Sequence, residues 1–182
     1  MKKYFLFFFL LFFNSEVIAF EKENIIKNLE NIENLSFNFE QNIDGQKEKG
    51  NCVLEYPKKI FCKYNLNNQK TLTSNGRYIV IKTINSHYIY NIKKTPLNLI
   101  LNKDFMLNKI RNTEGKILND KFINFSFFEN ENEINLFFDK KTFNLIGWQT
   151  LDIYQNLNIT YIDINQINQN LNKDLFNLPK QN

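Results

Sequence analysis

The chain has 182 residues, 43% of them hydrophobic and 15% aromatic, and 23 basic against 19 acidic residues give a formal net charge of +4. That is one domain's worth of chain, long enough to bury a core. Its lysines are scattered among asparagines and isoleucines instead of forming a stripe, so the composition speaks against a nucleic-acid-binding class.

Met1 to Ala19 carries two lysines, then the apolar run Tyr4 to Phe13, then a short polar segment closing on Val17-Ile18-Ala19. Those are the three regions of a secretory signal peptide, and the run is shorter than the ~20 apolar residues a spanning helix needs. Cleavage after Ala19 is expected, leaving a single soluble domain over 20–182. Its first residue, Phe20, offers no thiol for lipid attachment.

From Glu21 to Leu35, Ile25, Ile26, Leu29, Ile32 and Leu35 fall on one stripe at helical spacing, with glutamates early, where the helix dipole favours negative charge. The spacing predicts an amphipathic helix. From Leu35 the period changes to two, with Leu35, Phe37 and Phe39 alternating with polar residues, and a strand is expected. Next, Gly50 to Tyr64 places two aromatic and aliphatic runs around Pro57-Lys58-Lys59, which reads as a β-hairpin because proline presets a turn dihedral. A turn centred on Pro57 sets Leu54 opposite Ile60 and Cys52 opposite Cys62. Cys52, Leu54, Tyr56, Ile60, Cys62 and Tyr64 then share one largely apolar face. The only two cysteines of an exported chain, directly opposed across a hairpin, are expected to form a structural disulfide, not a redox pair.

Lys70 to Ser74 and Arg77 to Ile84 flank Asn75-Gly76, the strongest short hairpin signal, and His87 to Ile92 gives a further strand. Thr95-Pro96 starts a short buried helix through Leu101. Asn102 to Glu114 is ambiguous. After Gly115 come strands at Phe122 to Phe128, Glu133 to Phe138, Leu145 to Leu151 and Asn156 to Ile164, and a last helical turn surrounds Leu175 and Phe176. The fold class is therefore α+β: a strongly curved antiparallel sheet of nine or so strands, with helices laid into its concave apolar face.

Little in the chain reads as catalytic. His87, the only histidine, falls in an expected exposed turn, and one histidine with two hairpin cysteines is no zinc site. No glycine-rich phosphate loop is present. Glu129, Glu131 and Glu133 cluster, but in a segment that reads as an exposed turn. No enzyme, cofactor or metal is expected.

Phe37-Asn38-Phe39-Glu40-Gln41, Gly50, Tyr56-Pro57, Leu72-Thr73-Ser74-Asn75-Gly76, Thr95-Pro96-Leu97-Asn98-Leu99-Ile100-Leu101, Leu145-Ile146-Gly147-Trp148-Gln149, Asp152 and Leu175-Phe176 stand in an order and spacing that resembles the periplasmic outer-membrane lipoprotein carrier proteins, LolA. The resemblance covers nearly the whole mature chain. It implies an incomplete β-barrel closed by helices, a hydrophobic cavity that shields lipoprotein acyl chains crossing the periplasm, and two partners besides the cargo: an ATP-driven releasing transporter in the inner membrane and a receptor lipoprotein at the outer membrane. A monomer is expected. The lining it implies is Phe37, Phe39, Leu54, Ile60, Leu136, Phe138 and Trp148 on strands, with Leu97, Leu99 and Ile100 in a helical lid. Where family members carry a lid-locking arginine before the hairpin proline, this chain has Tyr56, whose hydroxyl is expected to bond the lid and whose ring is expected to face the cavity. A receptor of the same fold would be a lipoprotein, which Phe20 argues against. A generic periplasmic lipid- or protein-binding sheet domain is the alternative.

Overall fold

Alternation with a period of two runs through most of the chain. In the computed structural model, which describes residues 13–129, 132–152 and 154–180, it produces one antiparallel sheet of 11 strands. They are β1 (Asn34–Ile43), β2 (Gln46–Glu55), β3 (Lys59–Tyr64), β4 (Thr71–Asn75), β5 (Tyr78–Lys82), β6 (His87–Asn91), β7 (Lys116–Leu118), β8 (Phe122–Glu129), β9 (Asn132–Asp139), β10 (Leu145–Leu151) and β11 (Leu157–Ile167). Neighbours in the sheet are neighbours in sequence, except that β11 returns to pair with β1. That pairing joins two meanders and leaves β6 and β7 as separate edges, so the barrel is not closed.

Among the described residues three α-helices complete the α+β architecture, α1 (Phe13–Glu30), α2 (Leu97–Ile100) and α3 (Lys103–Asn112), with short 3-10 turns at Ile92–Lys94 and Lys173–Phe176. Because α2 and α3 carry the chain from one edge strand to the other, they are drawn across the open side of the sheet. Ile25, Ile26 and Leu29 of α1 and Met106, Leu107 and Ile110 of α3 join the inward residues of the strands in one buried cluster. Burial of such a continuous apolar face is what stabilises helix on sheet.

Several sequence expectations are corrected. The first helix ends at Glu30, not Leu35, although Ile32 and Leu35 remain buried. Its terminal carbonyls are taken by partners remote in sequence: Lys103 Nζ donates to the oxygens of Glu30 and Ile32, both at 3.0 Å, and Asn168 Nδ2 to that of Asn31 at 2.7 Å. The segment 102–114, left open by the sequence, contains α3, started by the Asn102 side chain, which accepts from Phe105 N–H at 3.3 Å. Thr95 does not cap α2; its hydroxyl donates back to Ile92 O at 2.9 Å, and Pro96 stands at the cap. Eleven strands exceed the nine or so expected, the three-residue β7 being too short to show a pattern. β2 also reaches back to Gln46, across a hairpin turn at Asp44-Gly45. His87 opens β6 and its Nε2 lies 3.0 Å from Pro179 O, so it is not a free turn residue. The apolar run of the expected signal segment lies mostly outside the described residues, and α1 passes through the Ala19-Phe20 junction. Among the described residues no helix is long and apolar enough to cross a membrane.

Candidate functional site

The hairpin of β2 and β3 has the register expected of it: Gly50 faces Tyr64, Cys52 faces Cys62 and Leu54 faces Ile60. Cys52 and Cys62 form a disulfide, and both are buried on the inner face. The turn is fixed from outside, since Ser74 Oγ donates to Lys58 O at 2.7 Å. Lys58 N–H in turn donates to Leu101 O at 2.9 Å, which ties the hairpin tip to the end of α2.

Between this hairpin, the flanking strands and α2 lies a cavity of about 240 Å³. It is lined by Phe37 and Phe39 of β1, the disulfide, Ile60, Leu72, Ile79 and Ile81, by Trp148 of β10, and by Pro96, Leu97 and Ile100 at α2. Gly50 shapes this lining. A Cβ there would come within 2.7 Å of the Phe39 ring, and the vacant space lets Phe39 lie across its partner strand, edge-on to Tyr64 with ring centres 5.0 Å apart.

Of the residues expected at an acyl-chain site, the fold brings Phe37, Phe39, Ile60, Leu97, Ile100 and Trp148 to the cavity, together with both cysteines. Leu54, Leu136 and Phe138 point to the same side of the sheet but are packed into the solid core, at 5%, 0% and 1% exposure. Leu99 is half-buried against that core. Tyr56 lines a different, polar recess beside Glu33, Asn34 and Lys103, with Lys103 Nζ 5.8 Å above its ring. The contact between hairpin and lid is thus the Lys58 backbone bond, two residues beyond the tyrosine.

One end of the cavity is polar, and no sequence expectation covered it. Gln41, Thr150 and Thr160 are all buried there, and Lys70, Tyr90, Asp152, Tyr154 and Asn158 complete the rim. Lys70 Nζ donates to both carboxylate oxygens of Glu48 at 2.7 Å, Gln41 Nε2 donates to Glu48 Oε2 at 2.7 Å, and the Lys70 ammonium stands 4.2 Å over the Tyr64 ring. Burial first, and then the Glu48 charge, push the Tyr64 phenol well above its usual range. Tyr90 is also raised, by burial and then by the neighbouring Tyr154. A signal for this end did exist: Gln41, Thr150 and Thr160 occupy the apolar phase of their strands' alternation.

The family model described as "Outer membrane lipoprotein carrier protein LolA" matches residues 30–179. No curated protein matches the sequence. Among solved structures, an uncharacterized conserved protein from Thermus thermophilus is similar at 7% identity over 89% of this chain and 94% of its own, with a TM-score of 0.52, which shows the shared fold. A LolA superfamily protein of Nitrosomonas europaea aligns at 6% identity over 86% and 97%, TM-score 0.45. The Mycobacterium tuberculosis lipoprotein LppX aligns at 8% over 87% and 98%, TM-score 0.44.

Proposed function

Since the chain belongs to the outer membrane lipoprotein carrier family LolA, we propose that it is a carrier which shields the acyl chains of lipoproteins in its apolar cavity and conveys them between the two membranes. The observation that supports this most directly is the cavity itself, enclosed by aromatic and aliphatic side chains beneath a four-residue helix. Each methylene kept from water is worth about 0.8 kcal/mol, so a multiply acylated protein does not leave a bilayer at a useful rate without a portable apolar pocket. A lining with few fixed polar contacts holds such chains without trapping them.

The working compartment in this reading is the periplasm, reached by export and cleavage after Ala19. Loading is by an ATP-driven inner-membrane transporter and unloading is to an outer-membrane receptor. The carrier itself performs no catalysis. At about 240 Å³ the cavity lies below the roughly 300–1,000 Å³ usual for small-molecule sites, so a multiply acylated anchor requires α2 to move outward. The test is to purify the protein from periplasm, identify what co-purifies by mass spectrometry and measure uptake of a fluorescent fatty-acyl probe. Acylated peptides in the complex and saturable probe uptake are expected. A folded protein that takes up no probe overturns the reading. Intact mass checks the expected start at Phe20.

A further inference from the structure

The strands run antiparallel, so their turns gather at two ends of the sheet, and the two ends differ in chemistry. One end holds the turns β2–β3, β4–β5, β7–β8 and β9–β10. Each of these carries at least one charged residue: Lys58, Arg77, Asp120 with Lys121, and Lys140 with Lys141. The other end holds β1–β2, β3–β4, β5–β6, β8–β9 and β10–β11. There the segments 65–69, 83–86 and 154–156 contain no charged residue. Two of the charges beside them are already engaged. Lys70 Nζ is paired with Glu48 at 2.7 Å, and Asp152 Oδ1 accepts from Tyr154 N–H at 2.8 Å and Asn156 N–H at 2.9 Å. Asp44, exposed in the β1–β2 turn, is the exception.

Apolar side chains follow the opposite distribution. Ten large hydrophobic residues stand exposed among the described residues, and five of them are at the second end: Ile84, Tyr88, Phe128, Tyr154 and Leu157, between 45% and 73% exposed. A single exposed residue of this kind needs no explanation, but a group at one end of a molecule marks an interaction surface. Its backbone is held in place. Ile84 N–H donates to Asn68 O at 2.9 Å, joining two of the turns, and Asp44 N–H donates to Leu157 O at 3.3 Å, joining two more. The cavity reaches the same end, since Ile43, Ile81, Tyr154 and Asn158 of its lining stand at the strand ends that meet there.

We propose that the uncharged turns around the cavity mouth are a docking surface for a lipid bilayer, on which the carrier settles by placing Ile84, Leu157 and the neighbouring tyrosine rings in the membrane interface. Aliphatic tips enter the border of the hydrocarbon, and tyrosine sits at headgroup level with its ring inward and its hydroxyl wet. The inference rests on the carrier reading above and adds a route of exchange to it. An acyl chain that moves between bilayer and cavity exposes its methylenes to water unless the mouth lies against the membrane. Attachment through apolar tips needs no anionic lipid and is not weakened by salt, in contrast to attachment through a basic patch. It is also shallow and reversible, because among the described residues no helix is long and apolar enough to cross a membrane.

The experiment floats the processed protein, purified from periplasm, on a density gradient with vesicles of dioleoylphosphatidylcholine, and in parallel with vesicles that also contain dioleoylphosphatidylglycerol, at low and at high salt. Equal flotation with both is expected at both salt levels. The double variant Ile84→Asp, Leu157→Asp is expected to partition into vesicles about tenfold less, with fatty-acyl probe uptake in solution unchanged. Arg77→Asp with Lys141→Asp, which alters the charged end by as many side chains, is expected to float like the wild type. A wild type that does not float, flotation that requires the anionic lipid or is lost in salt, or equal flotation of the Ile84, Leu157 variant overturns the docking surface. A wild type that sediments as a dimer, where that variant is a monomer and neither floats, assigns the patch to a second copy and overturns it as well. Absence of probe uptake by the wild type defeats the carrier reading instead, so the two failures are distinguishable.

Discussion

Single residues set the turns that keep the sheet in register, and Asp139 does so between β9 and β10. Its Oδ1 accepts from Thr142 N–H at 2.7 Å, Lys141 N–H at 3.0 Å and Thr142 Oγ at 3.0 Å. The backbone bond from Thr142 first, against the cost of burial, holds its pKa below the usual carboxylate range. A depressed folded-state pKa contributes stability that is present above the unfolded value near ~3.9 and is lost as pH falls through the folded one. Asp139→Asn should therefore cost about 0.5–1 kcal/mol at pH 7, towards the low end because the turn is exposed, and progressively less as pH falls below ~3.9. Urea midpoints measured from pH 7 down into acid check this, and a gap that does not shrink as pH falls would refute it. The disulfide closes a separation of 10 residues, so the double variant Cys52→Ser, Cys62→Ser should lose about 2–3 kcal/mol in urea unfolding and still fold. The pairing of these cysteines was legible because proline marks the turn and a hairpin's register follows from its centre. The role of Tyr56 was not legible. Alternation assigns a residue to a face, but Tyr56 stands at the hairpin end, where that face has already passed beyond the cavity.

At the scale of elements, α1 and α3 are tied together by charge as well as by packing. Lys22 Nζ donates to Arg111 O at 2.6 Å and Thr113 O at 3.0 Å, at the end of α3, while Lys103 serves the end of α1. Each lysine thus sits where a helix dipole favours a cation. α3 carries in addition the Phe105 ring edge-on to Phe127 of β8 at 6.0 Å, so this pair of helices is anchored to the sheet. α2 has less to hold it: the Lys58 bond to Leu101 and the contacts of Leu97, Leu99 and Ile100. Leu97 lines the cavity whereas Leu99 packs on the core, so Leu97→Glu should cut fatty-acyl probe uptake at least tenfold with the circular dichroism unchanged. Leu99→Glu should lower the urea midpoint more than it lowers uptake. The reverse ranking would mean that α2 is rotated relative to its place here. Strong elements were readable from the chain: the helical stripe of Ile25 and Leu29, the Asn75-Gly76 hairpin and the strands after Phe122. The Asp44-Gly45 hairpin was missed because Gln46 to Lys49 has no apolar alternation. It is held instead by pairing to β1 and by ion pairs such as Lys49 to Glu40 at 2.7 Å.

At the scale of the molecule, the same inward face is solid core in one part and cavity in another, and this explains how the sequence reading of the site divided. Phe37 and Phe138 are equivalent in pattern, both apolar and both in the inward phase. Phe138 meets Phe125 edge-on at 5.9 Å and is packed solid, while Phe37 lines the cavity together with Leu97 and Ile100 of α2. Which part is covered depends on helix placement, a long-range outcome that strand periodicity does not encode. It also decides how the protein makes room. Widening the cavity by parting strands would break ladder bonds between β1 and β11 or β2 and β3, each worth about 0.5–1.5 kcal/mol net and lost several at a time. Moving α2 breaks the single Lys58 to Leu101 bond and uncovers a few apolar side chains. The low-stability element is therefore the lid, and a ligand larger than the resting cavity should act on it alone. Hydrogen exchange with and without saturating fatty-acyl probe tests this across the whole chain. The amides of 97–102 and that of Lys58 should exchange faster in the loaded protein, while those of β1, β2 and β11 keep their protection. Loss of protection in β4, β5 and β6 with an unchanged lid would show that the free edge of the sheet swings open instead, and would move the gate from α2 to the strands.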